Sequence, residues 1–246
     1  MSYFIFDGVL NLGKQYELKG EESGHLTKSR RLKPGAIFKI QDKEGKRFEA
    51  ILKSFDQNSL LFIPQKPASI PPASSLRIEI LQALPKQKAL DFILQKTTEL
   101  GVSQLDVFCG KHSPNIFRIS EKNRHLKRWQ RIVSEASKQC ERQFPPAINF
   151  HNDISAALKT LPECPNSWIL VTEAADAVSW KKITSSVNLV KHHRVLIGPE
   201  GGFHRDEIKM SLQSGIRPVN LGPRIMRSET AAMTAVSILQ FLLGDL

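Results

Sequence analysis

Two short stretches late in the chain concentrate the residues that could do chemistry. The first, Ile197-Gly198-Pro199-Glu200-Gly201-Gly202-Phe203, gathers three glycines after a run, 111–197, that has none. Glycine admits positive φ and lets a ligand approach the backbone, so this loop can present amide and carbonyl groups without side-chain obstruction. The second, Leu221-Gly222-Pro223-Arg224-Ile225-Met226-Arg227-Ser228-Glu229-Thr230-Ala231, is a glycine-proline bend followed by two arginines and a carboxylate. It leads into a helical pattern that Ser228 could cap. Each loop follows a strand-like run, and in an open parallel sheet ligands bind at the carboxyl ends of the strands. Two loops of this kind point to one pocket. Neither is a nucleotide fingerprint: 198–202 is not Gly-x-Gly-x-x-Gly, and no Lys-Ser/Thr pair closes it as in a P-loop. Taken singly, either could be a tight turn between strand and helix.

The elements that must hold these loops follow from hydrophobic periodicity. Strand runs are expected at 76–81, 102–108, 168–172, 194–197 and 218–221. Between them, 89–100 places Leu90, Ile93, Leu94 and Leu100 near one helical face before Gly101 stops it. A longer helix capped by Ser120 would bury Leu126, Trp129, Ile132, Val133, Ala136 and Cys140. Arg124, Lys127, Arg128, Arg131 and Lys138 would then form a basic outer face. Strands alternating with helices imply an α/β parallel sheet covered on both sides. Upstream, four of the fourteen prolines fall between residues 64 and 75, which reads as an extended linker. A boundary near residue 72 divides the chain into 1–72, a small β-rich module, and 73–246. The module's strands at 36–40 and 47–52 are separated by the turn signals 33–35 and 42–45.

At 246 residues, with 41% hydrophobic and 24% charged side chains, the chain can bury a genuine core. No segment approaches the roughly 20 apolar residues that cross a bilayer, and the first ten residues lack a signal-peptide pattern, so neither a membrane partner nor export is expected. Cys109, Cys140 and Cys164 match neither a disulfide framework nor a Cys-x-x-Cys knuckle, which suits a reducing cytoplasm. His192-His193 has no ligand partner at helical spacing, and no metal is expected. The excess of 35 Lys and Arg over 24 Asp and Glu, +11 with a pI near 9.7, favours a polyanionic partner, nucleic acid ahead of an anionic membrane. Both parts share it: 1–72 carries 12 basic and 8 acidic residues, 73–246 carries 23 and 16. A generic solubilising charge would give the same total.

Leu196 to Phe203 together with Leu221 to Ala231 resembles the signature of the SPOUT class of S-adenosylmethionine-dependent RNA methyltransferases. More narrowly it resembles the bacterial small-subunit ribosomal RNA uracil-N3 methyltransferase family. Gly24-His25-Leu26-Thr27-Lys28-Ser29-Arg30-Arg31-Leu32-Lys33-Pro34-Gly35, Leu84-Pro85-Lys86 through Gly101, and Arg128-Trp129-Gln130-Arg131-Ile132 fit the same family, so the resemblance runs nearly end to end. It implies an N-terminal PUA-like β-barrel that helps hold RNA and a C-terminal SPOUT α/β-knot, a deep trefoil with a mainly parallel sheet. It implies a homodimer, S-adenosylmethionine bent within the knotted loops, and 16S ribosomal RNA of the small subunit as substrate. On that reading Ile197, Gly198, Gly201, Gly202, Leu221, Gly222, Ile225, Met226 and Ala231 hold the cofactor. Thr172 and Glu173 line the same cleft by analogy with the class, and Glu200 either touches the cofactor or organises its own loop.

Methylating N3 of uridine requires loss of its proton and steadying of the anion that develops on O2 and O4. Arg227, with Arg224 beside it, is placed to supply the cation, and Glu229 to accept the proton. Glu229 could equally be a carboxylate favoured by a helix N-terminus. RNA contacts are expected from Lys28, Arg30, Arg31 and Lys33 in the first module and from Arg128 and Arg131 on the long helix, although charge runs are commonly solvated faces. His25 could be a core or turn histidine. Two rival readings stay open: a SPOUT methyltransferase acting on transfer RNA or a ribose 2′-oxygen, and an RNA-binding protein without catalysis. The segment 111–117 departs from the family pattern, and no role is carried onto it.

Overall fold

A computed structural model of the chain describes residues 3–20, 32–56, 59–114, 121–172, 178–180 and 191–246, with the backbone alone at 178–179. His25, Lys28, Arg30, Arg31, Ser120 and Glu173 lie outside these residues. The chain forms two compact units, Met1–Pro72 with Ser137–Phe144, and Ala73–Ala136 with Pro145–Leu246.

The first unit is a mixed five-stranded sheet of β1 (Phe4–Ile5), β2 (Tyr16–Lys19), β3 (Ile37–Gln41), β4 (Arg47–Phe55) and β5 (Ser59–Pro67), in the order β1-β3-β4-β5-β2. β1 runs parallel to β3 and the other neighbours are antiparallel. The turn between β3 and β4 is closed by Asp42, whose carboxylate accepts the amides of Glu44 and Lys46 at 3.0 and 2.9 Å. Alternate residues bury Phe38, Ile40, Leu52, Leu60 and Phe62, with edge-to-face contacts of Phe38 to Phe4 at 6.0 Å and to Phe62 at 5.9 Å.

Two expectations fail in this unit. Pro64 and Pro67 belong to β5 and not to a linker: they sit opposite Ala50 and Phe48, where the register shifts between Glu49 and Ala50. A bulge and a strand end are the positions at which a sheet tolerates proline. Lys138, expected on a basic outer face, is only 7% exposed. Nearby, buried Arg47 lies 3.8 Å above the Tyr3 ring and donates to Gln41 Oε1 at 2.9 Å and to the carbonyls of Glu141 and Arg142 at 3.3 and 3.2 Å.

The second unit is a seven-stranded, wholly parallel sheet in the order β10-β12-β9-β11-β6-β7-β8. Its strands are β6 (Arg77–Ala83), β7 (Gln104–Phe108), β8 (Ala147–His151), β9 (Asn166–Leu170), β10 (Val178–Ser179), β11 (His192–Ile197) and β12 (Arg217–Asn220). The described helices are α1 (Gln87–Glu99), α2 (Lys122–Gln139), α3 (Ile154–Thr160), α4 (Arg205–Gln213) and α5 (Ser228–Leu243). Successive residues of the central strands feed opposite faces. Ile78, Ile80, Trp168, Val195 and Ile197 meet α1, α2 and α5 on one side, while Leu81, Ala83, Ile169 and Leu196 meet α3 and residues of α4 on the other. The α/β class and the two covered faces stand as read from the sequence. Burial on both sides explains why these strands are nearly continuous apolar runs. Among the described residues no helix is long and apolar enough to cross a membrane.

Candidate active site

The register of β6 against β11 pairs Gln82 with Ile197, so both strands reach the same edge and release the chain there. Above that edge the loops 198–203 and 221–226 line one cleft of about 730 Å³, with Leu170, Ile197, Phe203 and Ile208 among its apolar lining. Thr172, Ile197, Gly198, Glu200, Gly201, Gly202, Leu221, Gly222, Arg224, Ile225, Met226 and Ala231 all line it. The structure thus brings these expected residues together from three strand ends.

The first loop is shaped by its backbone. Gly202 has φ +70° and its amide donates to Pro199 O at 3.0 Å. A Cβ on Gly198 would meet Gly202 Cα at 3.3 Å, so only glycine lets the bend close at that point without displacement. Several side chains then fix it. Buried Gln82 donates from Nε2 to Ser228 Oγ at 3.0 Å and towards Gly198 O at 3.3 Å, and Ser228 Oγ donates to Gly198 O at 2.7 Å. Glu200 Oε1 accepts the amide of Lys86 at 3.1 Å, which ties the loop to the start of α1. His112 Nδ1 lies 3.2 Å from both Gly201 O and Gly202 O; carbonyls only accept, so this nitrogen carries the proton.

Lys111 and His112, in the segment 111–117 to which the sequence assigned no role, are part of the same scaffold. Glu207 accepts the amide of Lys111 through Oε1 at 3.0 Å and that of His204 through Oε2 at 2.8 Å, capping α4 directly after the loop. Lys111 also pairs with Asp206 and holds that carboxyl below its usual range.

Ser228 does not cap α5. Arg227 occupies the N-cap position without a side-chain bond, and the Ser228 hydroxyl, one residue inside, goes to Gly198 O. Arg227 and Glu229 do not line the main cleft. They line an adjoining cavity of about 630 Å³ together with Lys86, Lys88, Ala89 and Phe92, and Glu200 borders both spaces. Of the expected RNA contacts within the described residues, Lys33 and Arg131 are exposed, whereas Arg128 forks onto Asp91, with one bond of 2.6 Å.

Gln82, His112 and Lys86 were missed by sequence reasoning. A polar Gln82 inside an otherwise apolar strand run was a usable signal; His112 and the Lys86 amide offered none.

A wholly parallel sheet whose strand-end loops converge on one cleft, with a second cavity beside it, defines an α/β enzyme unit, here joined to a small β unit. The chain belongs to the RNA methyltransferase family: the model of the RNA methyltransferase domain matches residues 72–240, and that of the RNA methyltransferase PUA domain matches residues 18–65. This agrees with the resemblance carried by the two late loops. Among curated relatives, the ribosomal RNA small subunit methyltransferase E of Buchnera aphidicola subsp. Acyrthosiphon pisum is 28% identical over 96% of this chain and 91% of its own length. That of Bacillus subtilis is 25% identical over 92% and 90%. Among solved structures, the same-named enzyme of Neisseria gonorrhoeae bound to S-adenosyl methionine matches with a TM-score of 0.86, 25% identity and coverage of 100% and 99%.

Proposed function

We propose that the chain transfers the methyl group of S-adenosylmethionine to N3 of a uridine in 16S ribosomal RNA of the small subunit. The observation that carries this reading is the convergence of both glycine-proline loops on one cleft, with Arg227 and Glu229 in the cavity next to it. The cleft suits the cofactor: apolar side chains are among its lining, and at Gly198 and Gly201 a Cβ would crowd Gly202 and His112 at 3.3 and 3.2 Å, so glycine there leaves the loop backbone open to the cleft. The solved Neisseria relative with S-adenosyl methionine bound supports the same assignment.

Bound there, the cofactor would supply an already activated methyl group, so the protein's work is alignment and removal of the N3 proton. Backbone groups at 198–202 and 221–222 would hold adenine and ribose, with Ile197, Ile225 and Met226 against the ring and Thr172, Glu173 and Ala231 along the wall. Arg227, aided by Arg224, would steady negative charge on the uracil oxygens, and Glu229 would take the proton. The first unit, with Lys28, Arg30, Arg31 and Lys33, would help hold the RNA, as would Arg131 on α2, with Arg128 reaching RNA only by leaving Asp91. The reading includes a knotted second unit, a homodimer and work in the cytoplasm on ribosomal subunits.

Small subunits from cells lacking the enzyme, incubated with tritiated cofactor and digested to nucleosides, test it. Label in 3-methyluridine is expected. Label in a ribose-methylated nucleoside, or transfer to transfer RNA instead, would replace the proposed target. No cofactor binding by calorimetry would leave an RNA-binding protein without catalysis.

A further inference from the structure

We propose that the cavity beside Arg227 receives the target uridine, everted from its RNA, with the Phe92 ring as the face on which the base stacks and Lys86 and Lys88 beside its flanking phosphates. The proposal rests on the methyltransferase reading above. Enzymes that act on a ring atom of a base must take that base out of its stack, and an everted base needs a flat apolar face to replace its lost neighbours. Phe92 offers one. It is 42% exposed, although Leu90, Ile93 and Leu94 around it on α1 are buried, and it lines a cavity of about 630 Å³, within the range of small-ligand sites.

The polar groups of that cavity match the occupant. Uracil presents two carbonyl oxygens on either side of an N–H, and the cavity wall carries a cationic donor, Arg227, with a carboxylate two residues away, Glu229. The lysines stand at the start of α1, both exposed, and with Arg227 they outnumber the cavity's two carboxylates. One of those carboxylates, Glu200, is engaged by the Lys86 amide and forms the border with the larger cleft. An occupant of the smaller cavity therefore lies next to whatever the larger one holds, as a methyl acceptor must. α1 thus contributes to the substrate site, a role that the glycine loops alone would not suggest.

The test uses the full chain and a small-subunit ribosomal RNA transcript. Phe92→Ala and Phe92→Leu should each lower kcat/KM for RNA by about 5- to 150-fold, the range of one lost base stack, while calorimetric affinity for S-adenosylmethionine is unchanged. Phe92→Tyr should restore most of the activity. Replacing Lys86 and Lys88 by Ala should lower the slope of log affinity against log salt by about 0.7–0.9 per lost phosphate contact. A transcript carrying 5-iodouridine, irradiated with the protein and S-adenosylhomocysteine, should crosslink at Phe92, a readout independent of turnover. Full activity of Phe92→Leu would overturn the stacking role, as would loss of activity in Phe92→Ala that follows a change of oligomeric state in sedimentation, since the ring would then be a protein contact. If the parent chain neither binds the cofactor nor methylates RNA, the functional reading itself fails. If the parent methylates and Phe92→Ala equals it, this proposal alone falls.

Discussion

The two central strands β6 and β11 end in opposite chemistries. Where they begin, the buried Glu79 carboxylate on β6 gathers the cations: Arg194 Nη2 from β11 lies 2.6 Å from one oxygen, and Arg77 and His192 stand 2.6 and 2.9 Å from the other. Burial alone would push the Glu79 carboxyl up, yet Arg194 and His192 hold it below the usual carboxylate range. Where the same strands finish, Gln82 and Ser228 hold Gly198 O through uncharged bonds, and among the described residues the exposed Arg224 and Arg227 have no carboxylate partner. Cations already satisfied by the protein cannot serve a substrate; those left over at the loop edge can. The sheet is closed electrostatically at one edge and left open at the other.

Breaking each edge in turn should separate the two roles. Arg227→Ala should cut methyl transfer by about 10²- to 10³-fold, the cost of losing one group that stabilises developing negative charge, with Tm and cofactor affinity near those of the parent. Comparable turnover in that variant would take Arg227 out of the reaction. Arg194→Met should do the reverse. It leaves Glu79 buried with one guanidinium fewer, at a cost of about 3–5 kcal/mol, or a Tm lower by about 6–20 °C, with kcat/KM preserved below the transition. Ser228→Ala lies between them. It removes a partner of both Gln82 and Gly198 O, worth about 1–3 kcal/mol when buried, and titration should show the loss as weaker cofactor binding.

Acid should find the closed edge first. A carboxyl whose folded pKa is depressed adds stability above its unfolded value and loses it as pH falls through the folded one. The Glu79 contribution should therefore be intact above the ordinary glutamate value of about 4.3 and decline below it. Guanidinium melts of parent and Glu79→Gln should differ most at neutral pH and converge on acidification; a gap that stays constant to pH 3 would mean that the carboxylate's charge is not what binds the edge.

The glycine loops were legible because special backbone geometry demands particular residue types, and these sit together in sequence. The apolar strand runs were legible for the same local reason, since two-sided burial leaves a continuous signature. What holds the loops was not. Gln82 reaches Gly198 across 116 residues and His112 reaches Gly201 across 89, and neither contact leaves a mark in spacing. Ser228 shows the same limit from the other side: as a residue type it reads as a cap, and only the folded position of Gly198 O turns it into a clamp. The placement of Arg227 and Glu229 in a cavity of their own depends on where α1 packs, which periodicity along α1 cannot report. Nor did any local feature announce that 137–144 joins the first unit.

His112 sharpens the comparison at the open edge, because it is an exposed contact on the loop that buried Gln82 and Ser228 already hold. Its Nδ1–H serves two carbonyls, at Gly201 and Gly202, and both the neutral Nδ1–H tautomer and the imidazolium would donate there. Asn places an amide nitrogen near the Nδ1 position, so His112→Asn should keep the bond and His112→Leu should lose it. A net hydrogen bond of about 0.5–1.5 kcal/mol predicts a roughly 2- to 12-fold weaker cofactor affinity for Leu, near-parent affinity for Asn, and little change in kcat at saturating cofactor. If the two variants bind the cofactor equally well, the ring acts by filling space beside Gly201, where a Cβ would come within 3.2 Å of His112 Cβ, and the donor is dispensable.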